Sequence, residues 1–594
     1  MASPATTQTV RPLDTLRFDT SGPPEVTDVV AEHLRLLGAR SDELADGSSS
    51  GRITLSGGGF EPGHAAAAWG SPGSGLVDEA TVQAATGMMA VHGRRDGSPR
   101  GLAADYAATA TAVLTVQGLL AGLVGQARGA APSHVTVRAD RAGLLAVSQY
   151  LAAAGADEAE AVELAPGGPP FTSAEGVLFE LESLDAGAWA AFWRALDAPA
   201  DVIRAGWQPF QFRYATACAA IPQALHTVTR SHPLPRIRQA AVLSGAEICV
   251  LRTLAERVLE TDGGAPWSLQ PLTGGLASAS PRTAVVPSPG RPLAGLTVLE
   301  AGRRIQAPLA AHLLGLLGAE IIRIEPPGGD PLRGMPPACS GISARWLALN
   351  RGKKAVEIDI KAAADRRRLR EMAAEADVFL HNWAPGKAAE LGLDADDLAS
   401  ANPGLVYAYT SGWADRLQDA PMGTDFMVQA RTGVGEAVRP HGEAPAPSLM
   451  TLLDVLGGLH GAEAVLAGLL LRERTGRGVR VDSSLLGAAD TLTGPALRRV
   501  ARGEDPRRPA GFRHPLPTAD GWIAPADASA GAAAAYDLRD LSTSDALAQL
   551  SAHGVAATAV TTHLSDLHHD ARFAGSIGRD AHGAPAVPDP WSFA

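Results

Sequence analysis

Cysteine is scarce in this chain. Three occur in 594 residues, Cys218, Cys249 and Cys339. They lie far apart and form no C-x-x-C, which excludes a disulfide framework and a cysteine-based zinc pattern. No apolar run reaches the roughly 18 residues a membrane span requires. The opening MASPATTQTVRPLD lacks the apolar core of a signal peptide, so the expected location is cytoplasmic, with no membrane partner. Net charge is −12 and no long basic block is present, which argues against nucleic acid as a partner. No G-x-G-x-x-G follows a strand, so a nucleotide-cofactor fingerprint is absent; neither a metal nor a permanently bound cofactor is expected.

What is present describes a globular chain. Hydrophobic residues make up 46% and charged residues 19%, enough to bury large cores. Glycine and proline, 65 and 43, predict many turns. The length predicts several folded units.

The chain repeats itself. TVQAATG begins at Thr81 and MVQARTG at Met427; LAGL begins at Leu120 and again at Leu466. Both pairs have an offset of 346 residues, which reads as duplication of one large unit rather than a solenoid. The copies are unequal. Between Leu36 and Thr81 the first is 66 positions shorter than the second between Leu316 and Met427, and it has no counterpart of NRGKKAVEIDIK or HNWAPG. Later the second is 36 positions shorter, lacking the segment around AWAAFWRAL and GWQPFQFRYATACAAI. The boundaries read as 1–272 for the N-terminal copy, 273–292 for a Gly/Pro/Ser linker and 293–594 for the C-terminal copy. Residues 1–24 read as a loose arm, with a helix over Val26–Leu37 and a strand over Arg52–Ser56.

The C-terminal copy opens with alternating elements. Strands are predicted over 297–299, 321–324, 355–360, 378–381 and 405–410, with helices over 307–317 and 365–376, which implies a parallel sheet. GSSSG at 47–51 matches G-x-S-x-G, but a nucleophile elbow needs a strand before it and a helix after it. Here a polar loop precedes and a strand follows, so a hydrolase is not the reading.

The chemistry concentrates between Asp425 and Asp490. Asp425 leads into Gln429-Ala430-x-Thr432-Gly433. Asp454 stands alone between Leu449–Leu453 and Gly457-Gly458, just before or in the first turn of a helix that ends in Arg472, Arg474 and Gly476. Two roles are open to an acid there: an N-cap, or a carboxylate nucleophile in a dry cleft.

This stretch resembles the family III CoA-transferases, which carry D-x-x-x-Q-A-x-S/T-G, then an Asp followed four residues later by Gly, then L-x-x-R-x-x-T-G-x-G-x-x-V-D. Asp425, Gln429, Gly433, Asp454, Gly458, Arg474, Gly476 and Asp482 fit. VLEAGRRIQAP, IIRIEPPGGDPLR, NRGKK and HNWAPG resemble further family segments. The resemblance implies Asp454 as nucleophile and Gln306, Arg323, Lys353, Asn382 and Trp383 as CoA-binding residues. It departs from the family at the missing Gly of Q-A-G-P, at Ala384 and at Glu390, where members carry arginines, and in lacking a glycine-rich loop within 491–517.

The implied fold is α/β. It has two family III-like copies, each a Rossmann-like parallel-sheet large domain with a smaller α+β domain, interlocked as an intramolecular pseudo-dimer. Further homodimerisation is left open. The implied substrates are an acyl-CoA and a carboxylate, with CoA transfer through aspartyl anhydride and aspartyl-CoA intermediates. In the N-terminal copy the partner of Asp454 is Ala108, so one working site per chain is expected, and Asp105 is the nearest acid. Another CoA-dependent enzyme of the same fold, a lyase or isomerase, and a non-catalytic acyl-CoA-binding scaffold are the alternatives. A racemase would need a histidine where Thr424 stands.

Overall fold

The computed structural model describes residues 11–42, 51–272, 285–573 and 575–594. Most of the GSSSG segment, residues 273–284 of the expected linker and the first ten residues of the expected arm lie outside these.

The C-terminal copy builds a seven-stranded sheet. Its parallel strands run in the order Lys354–Glu357, Glu320–Glu325, Thr297–Ala301, Val378–His381, Val406–Ser411 and Val479–Ser484. The alternating strands and helices of the sequence require this arrangement, because each helix carries the chain back to start the next strand in the same direction. The strand order reverses between Thr297–Ala301 and Val378–His381, so a crevice opens beyond the carboxyl ends of these two strands.

The N-terminal copy differs. Its six-stranded sheet is mixed: the pairs formed by Leu16–Ser21 with Arg40–Ser41 and by Phe60–Ala68 with His134–Arg138 are parallel, the others antiparallel. The physical reason is the shorter connection. Gly57, Gly58 and Gly59 all adopt positive φ and turn the chain directly into a hairpin between Gly51–Gly57 and Phe60–Ala68. Leu16–Ser21, within the expected loose arm, is an interior strand of this sheet.

Each sheet is completed by the other half. Trp267–Pro271 of the N-terminal half pairs antiparallel with Val479–Ser484. Trp591–Phe593, near the other end of the chain, pairs antiparallel with His134–Arg138. The helices Tyr106–Ala127 and Leu452–Thr475 pack against one another between the sheets. Both are long and apolar enough to cross a membrane, yet 94% of each apolar window is buried inside the protein. They are the central core helices.

The lost segments are visible as well. The antiparallel strands Phe171–Thr172, Leu178–Glu182 and Glu247–Val250 carry four helices between Ala186 and Ser244, closed over Trp189, Phe192, Trp193 and Phe210. The corresponding C-terminal unit, with strands Leu516–Pro517, Trp522–Pro525 and Ala557–Ala559, has the longer helix Thr543–Ala552 and only short helical turns beside it.

Candidate active site

Asp454 lies in the first turn of Leu452–Thr475. Thr451, in the left-handed region at φ 51°, turns the chain into that helix. The cap is supplied from elsewhere: Asp425 accepts the Asp454 N–H at 2.7 Å. Gln429, one turn on, donates to Asp425 and bridges to Ser448, accepting its N–H at 2.8 Å and donating to its carbonyl at 2.9 Å. The D-x-x-x-Q spacing puts acid and amide on one helix face, where together they hold the start of the next helix. Among the described residues nothing donates a hydrogen bond to the Asp454 carboxylate.

Gly457 and Gly458 let this helix touch the helix Gln306–Leu316. A Cβ at Gly457 would stand 2.8 Å from Gln306 Nε2, and one at Gly458 would stand 2.9 Å from the Gln306 carbonyl. The second would push the helices apart, because it meets backbone; the first would displace the end of the Gln306 side chain.

A cavity of about 300 Å³ opens onto half-buried Asp454. Both halves wall it. Glu182, Leu184, Trp207 and Tyr214 come from the N-terminal half, and Arg304, Met335 and Trp346 from the C-terminal half. Glu182 is tightly held: Arg213 donates to it at 3.0 Å, Thr424 at 2.8 Å, and the Tyr214 hydroxyl donates as well. Burial pushes Glu182 up, but Arg213 and these bonds prevail and keep it below the ordinary carboxylate range. Tyr214 stacks on Phe426 at 4.4 Å, and the Arg304 guanidinium lies 5.5 Å from the Tyr214 ring centre.

Burial, and then the neighbouring Asp425 charge, raise Asp454 to about 8, against the pull of Arg304. Burial raises Asp425 to about 6, opposed by the bonds from Gln429 and the backbone. The two acids titrate as a linked pair, and the weaker acid is the one that faces the cavity.

A second cavity, about 330 Å³, lies in the crevice at the strand reversal. Arg303, Lys361 and Trp383 line it. Asn382 ties its two loops, accepting the Arg303 N–H and donating to the Arg303 carbonyl, both at 2.9 Å. Adjacent residues Arg303 and Arg304 therefore serve adjacent cavities.

The residues expected to hold CoA are distributed unevenly. Trp383 and Arg323 border the second cavity, with Asn382 behind its rim. The Arg323 side chain is 2% exposed and paired with Glu300 and Asp330. Lys353 is buried near a third cavity and donates to Glu300 at 2.8 Å, to Asn350 at 2.9 Å and to the Pro308 carbonyl at 2.7 Å. Burial lowers Lys353 to about 8 despite Glu300. Gln306 is buried at the helix contact, donating to the Ser411 carbonyl at 3.4 Å. Glu182 and Tyr214 escaped the sequence reading; only the fold brings them to Asp454.

The N-terminal copy repeats the construction without the acid. Glu79 accepts the N–H groups of Ala107 at 2.8 Å and Ala108 at 2.7 Å, and Gln83 donates to it at 2.8 Å. Ala108 takes the place of Asp454. Asp105 is paired with Arg513 at 2.6 Å. Elsewhere in the core, the ligand atoms of buried His33, His460 and Glu463 converge within 4.8 Å; none of the three borders the Asp454 cavity.

The model of the CoA-transferase family III matches residues 68–262 and 293–570. The chain belongs to this family, and the two matched stretches agree with a tandem duplication. It is 36% identical over 202 residues to the succinyl-CoA:glutarate CoA-transferase of Mus musculus, covering 33% of this chain and 46% of that protein. It is 34% identical over 234 residues to the acetyl-CoA:oxalate CoA-transferase of Acetobacter aceti, covering 38% of this chain and 59% of that protein. The matched stretch thus spans about half the length of these curated relatives. A crystal structure of a CAIB/BAIF family protein from Brucella suis aligns over 50% of this chain and 91% of that one, at 27% identity and a TM-score of 0.45.

Proposed function

We propose that the chain transfers CoA from an acyl-CoA to a carboxylic acid, with Asp454 as the nucleophile. The observation that carries this is the Asp454 carboxylate itself: among the described residues it has no hydrogen-bond donor, it borders a largely apolar cavity, and its backbone N–H is fixed by Asp425. A carboxylate relieved of water and of local bonds is a stronger nucleophile than a solvated one. Family membership and the CoA-transferase names of the relatives support the reaction class.

The cycle balances without an oxidant or reductant. The Asp454 carboxylate attacks the thioester carbonyl, and CoA thiolate leaves, giving an aspartyl–acyl anhydride. The thiolate then attacks the aspartyl carbonyl, releasing the donor acid and leaving aspartyl-CoA. The acceptor carboxylate displaces the thiolate, forming a second anhydride. The thiolate finally attacks the acceptor's carbonyl, yielding its CoA ester and free Asp454.

CoA's phosphates belong, in this reading, at the strand reversal beside Arg303, Lys361 and Trp383, with Asn382 fixing the loop. Arg323, Lys353 and Gln306 support that surface from beneath, the two cations through Glu300. The halves 1–272 and 293–594 act as an intramolecular pseudo-dimer, a reading supported by their reciprocal strand pairing. One site per chain follows from Ala108.

The test is transfer itself. The full chain is incubated with an acyl-CoA and isotopically labelled carboxylic acids, and new CoA esters are followed by mass spectrometry. Asp454→Ala is expected to lose about a thousandfold or more in rate, while Asp105→Ala keeps it. Undiminished transfer by Asp454→Ala would refute the assignment.

A further inference from the structure

We propose that the acceptor is a monocarboxylic acid with an apolar body, and that Arg304 binds its carboxylate beside Asp454. This inference rests on the CoA-transfer reading and goes beyond it by naming the substrate class.

The argument is one of charge and lining. Three cations border the cavity: Arg213, Arg304 and Arg345. Arg213 is held by Glu182. Arg345 is paired with Glu160 and donates to the carbonyls of Ala215 at 2.9 Å and Pro336 at 3.1 Å. Among the described residues, Arg304 makes no hydrogen bond and no ion pair. It is exposed to the cavity, and its backbone sits at φ 62°, a conformation that costs a non-glycine residue energy and often marks a functional position. It is thus the one lining cation left to meet an incoming anion.

The acceptor's reacting group is a carboxylate, and it must approach Asp454 past Glu182, which lines the same cavity. A guanidinium beside Asp454 offsets that repulsion and offers two parallel donors to the carboxylate. Beyond Arg304 most of the wall is apolar, from Leu184, Trp207, Phe212, Met335 and Trp346, and its remaining polar groups are neutral amides such as Gln149 and Gln211 or the already paired Arg345. A second carboxylate on the acceptor would have to leave water there without a counter-cation, which is unfavourable. An alkyl or aryl body would bury apolar surface instead. The relatives named above for glutarate and oxalate act on dicarboxylates, so this chain would differ from them in acceptor class.

The experiment uses the full chain, a single acyl-CoA donor, and hexanoate and phenylacetate against adipate and glutarate, each as acceptor, with CoA esters counted by mass spectrometry. The expected result is a kcat/KM for hexanoate or phenylacetate at least about tenfold above that for adipate. Arg304→Gln is expected to raise the acceptor's KM about tenfold with little change in the donor's KM, and Arg304→Lys to recover part of it. Leu184, 55% exposed, tolerates a polar side chain, and Leu184→Lys should narrow the gap between hexanoate and adipate. Equal or better transfer to the dicarboxylates, or an Arg304→Gln variant with an unchanged acceptor KM, overturns the proposal and leaves CoA transfer standing. Transfer to no acid at all overturns both.

Discussion

The hydroxyl of Tyr106 donates a hydrogen bond of 2.9 Å to the carbonyl of Leu452, and these two residues are counterparts, 346 positions apart, in the two copies. The duplicated unit thus touches itself at the start of its two core helices. The residue that begins the spare helix steadies the helix that carries Asp454.

Tyr106→Phe removes that donor and leaves a buried carbonyl unpaired. The expected cost is about 1–2 kcal/mol of stability, read by denaturant unfolding. Activity should fall modestly, since Asp454 lies two residues from Leu452.

Asp425→Asn keeps the shape of the helix cap but removes a charge beside Asp454. Since the Asp425 charge raises Asp454, the variant's pH–rate profile should move to lower pH. In the unmodified protein, activity should climb as pH rises toward about 8, where Asp454 loses its proton. A profile flat between pH 5 and 9 in both proteins would contradict this electrostatic account.

The same burial makes Asp454 a cost to stability. Its folded pKa of about 8 lies above the unfolded value near 4. Between these values the folded state holds the extra proton, so stability declines as pH rises through the window. Asp454→Asn is therefore expected to melt roughly 2–4 °C higher than the parent protein at pH 9, with the difference vanishing near pH 4. A variant less stable than the parent at high pH would show that the carboxylate has a structural role after all.

His33 Nδ1 lies 2.9 Å from Glu463, joining the N-terminal helix Pro24–Leu36 to Leu452–Thr475. Burial alone would lower His33, but Glu463 prevails and raises it. This contribution is complete below the unfolded histidine value and is lost as pH rises through the higher folded one. Glu463→Gln should cost on the order of 2 kcal/mol at pH 6, and less at pH 9, in calorimetric melts.

The sequence is most informative where chemistry is local. The strand Val378–His381 is legible to the residue, because four apolar or aromatic-like positions between polar ends leave no other register. The D-x-x-x-Q motif is legible because acid and amide one turn apart share a helix face. The helix over Asp454 begins earlier than its apolar run suggests, because Asp425 caps it from another element. Glu182 and Thr424 meet across 242 residues, and nothing local marks Glu182. Lys353 stands just before the strand Lys354–Glu357 and Arg323 within Glu320–Glu325, but Glu300, which pairs with both, and Asp330, which pairs with Arg323, become partners only once the sheet forms. The mixed N-terminal sheet hides for a similar reason: its last strand, Trp591–Phe593, comes from the far end of the chain.

The central claim is covalent chemistry at one carboxylate per chain. It is tested most directly by incubating the protein with acyl-CoAs, trapping with hydroxylamine or borohydride, and mapping the modified peptide by mass spectrometry, alongside Asp454→Ala and Asp105→Ala. The account predicts one modification, on Asp454, absent from Asp454→Ala and retained in Asp105→Ala. An unmodified Asp454 in a protein that turns over its substrates, or a modification on Asp105, would contradict it.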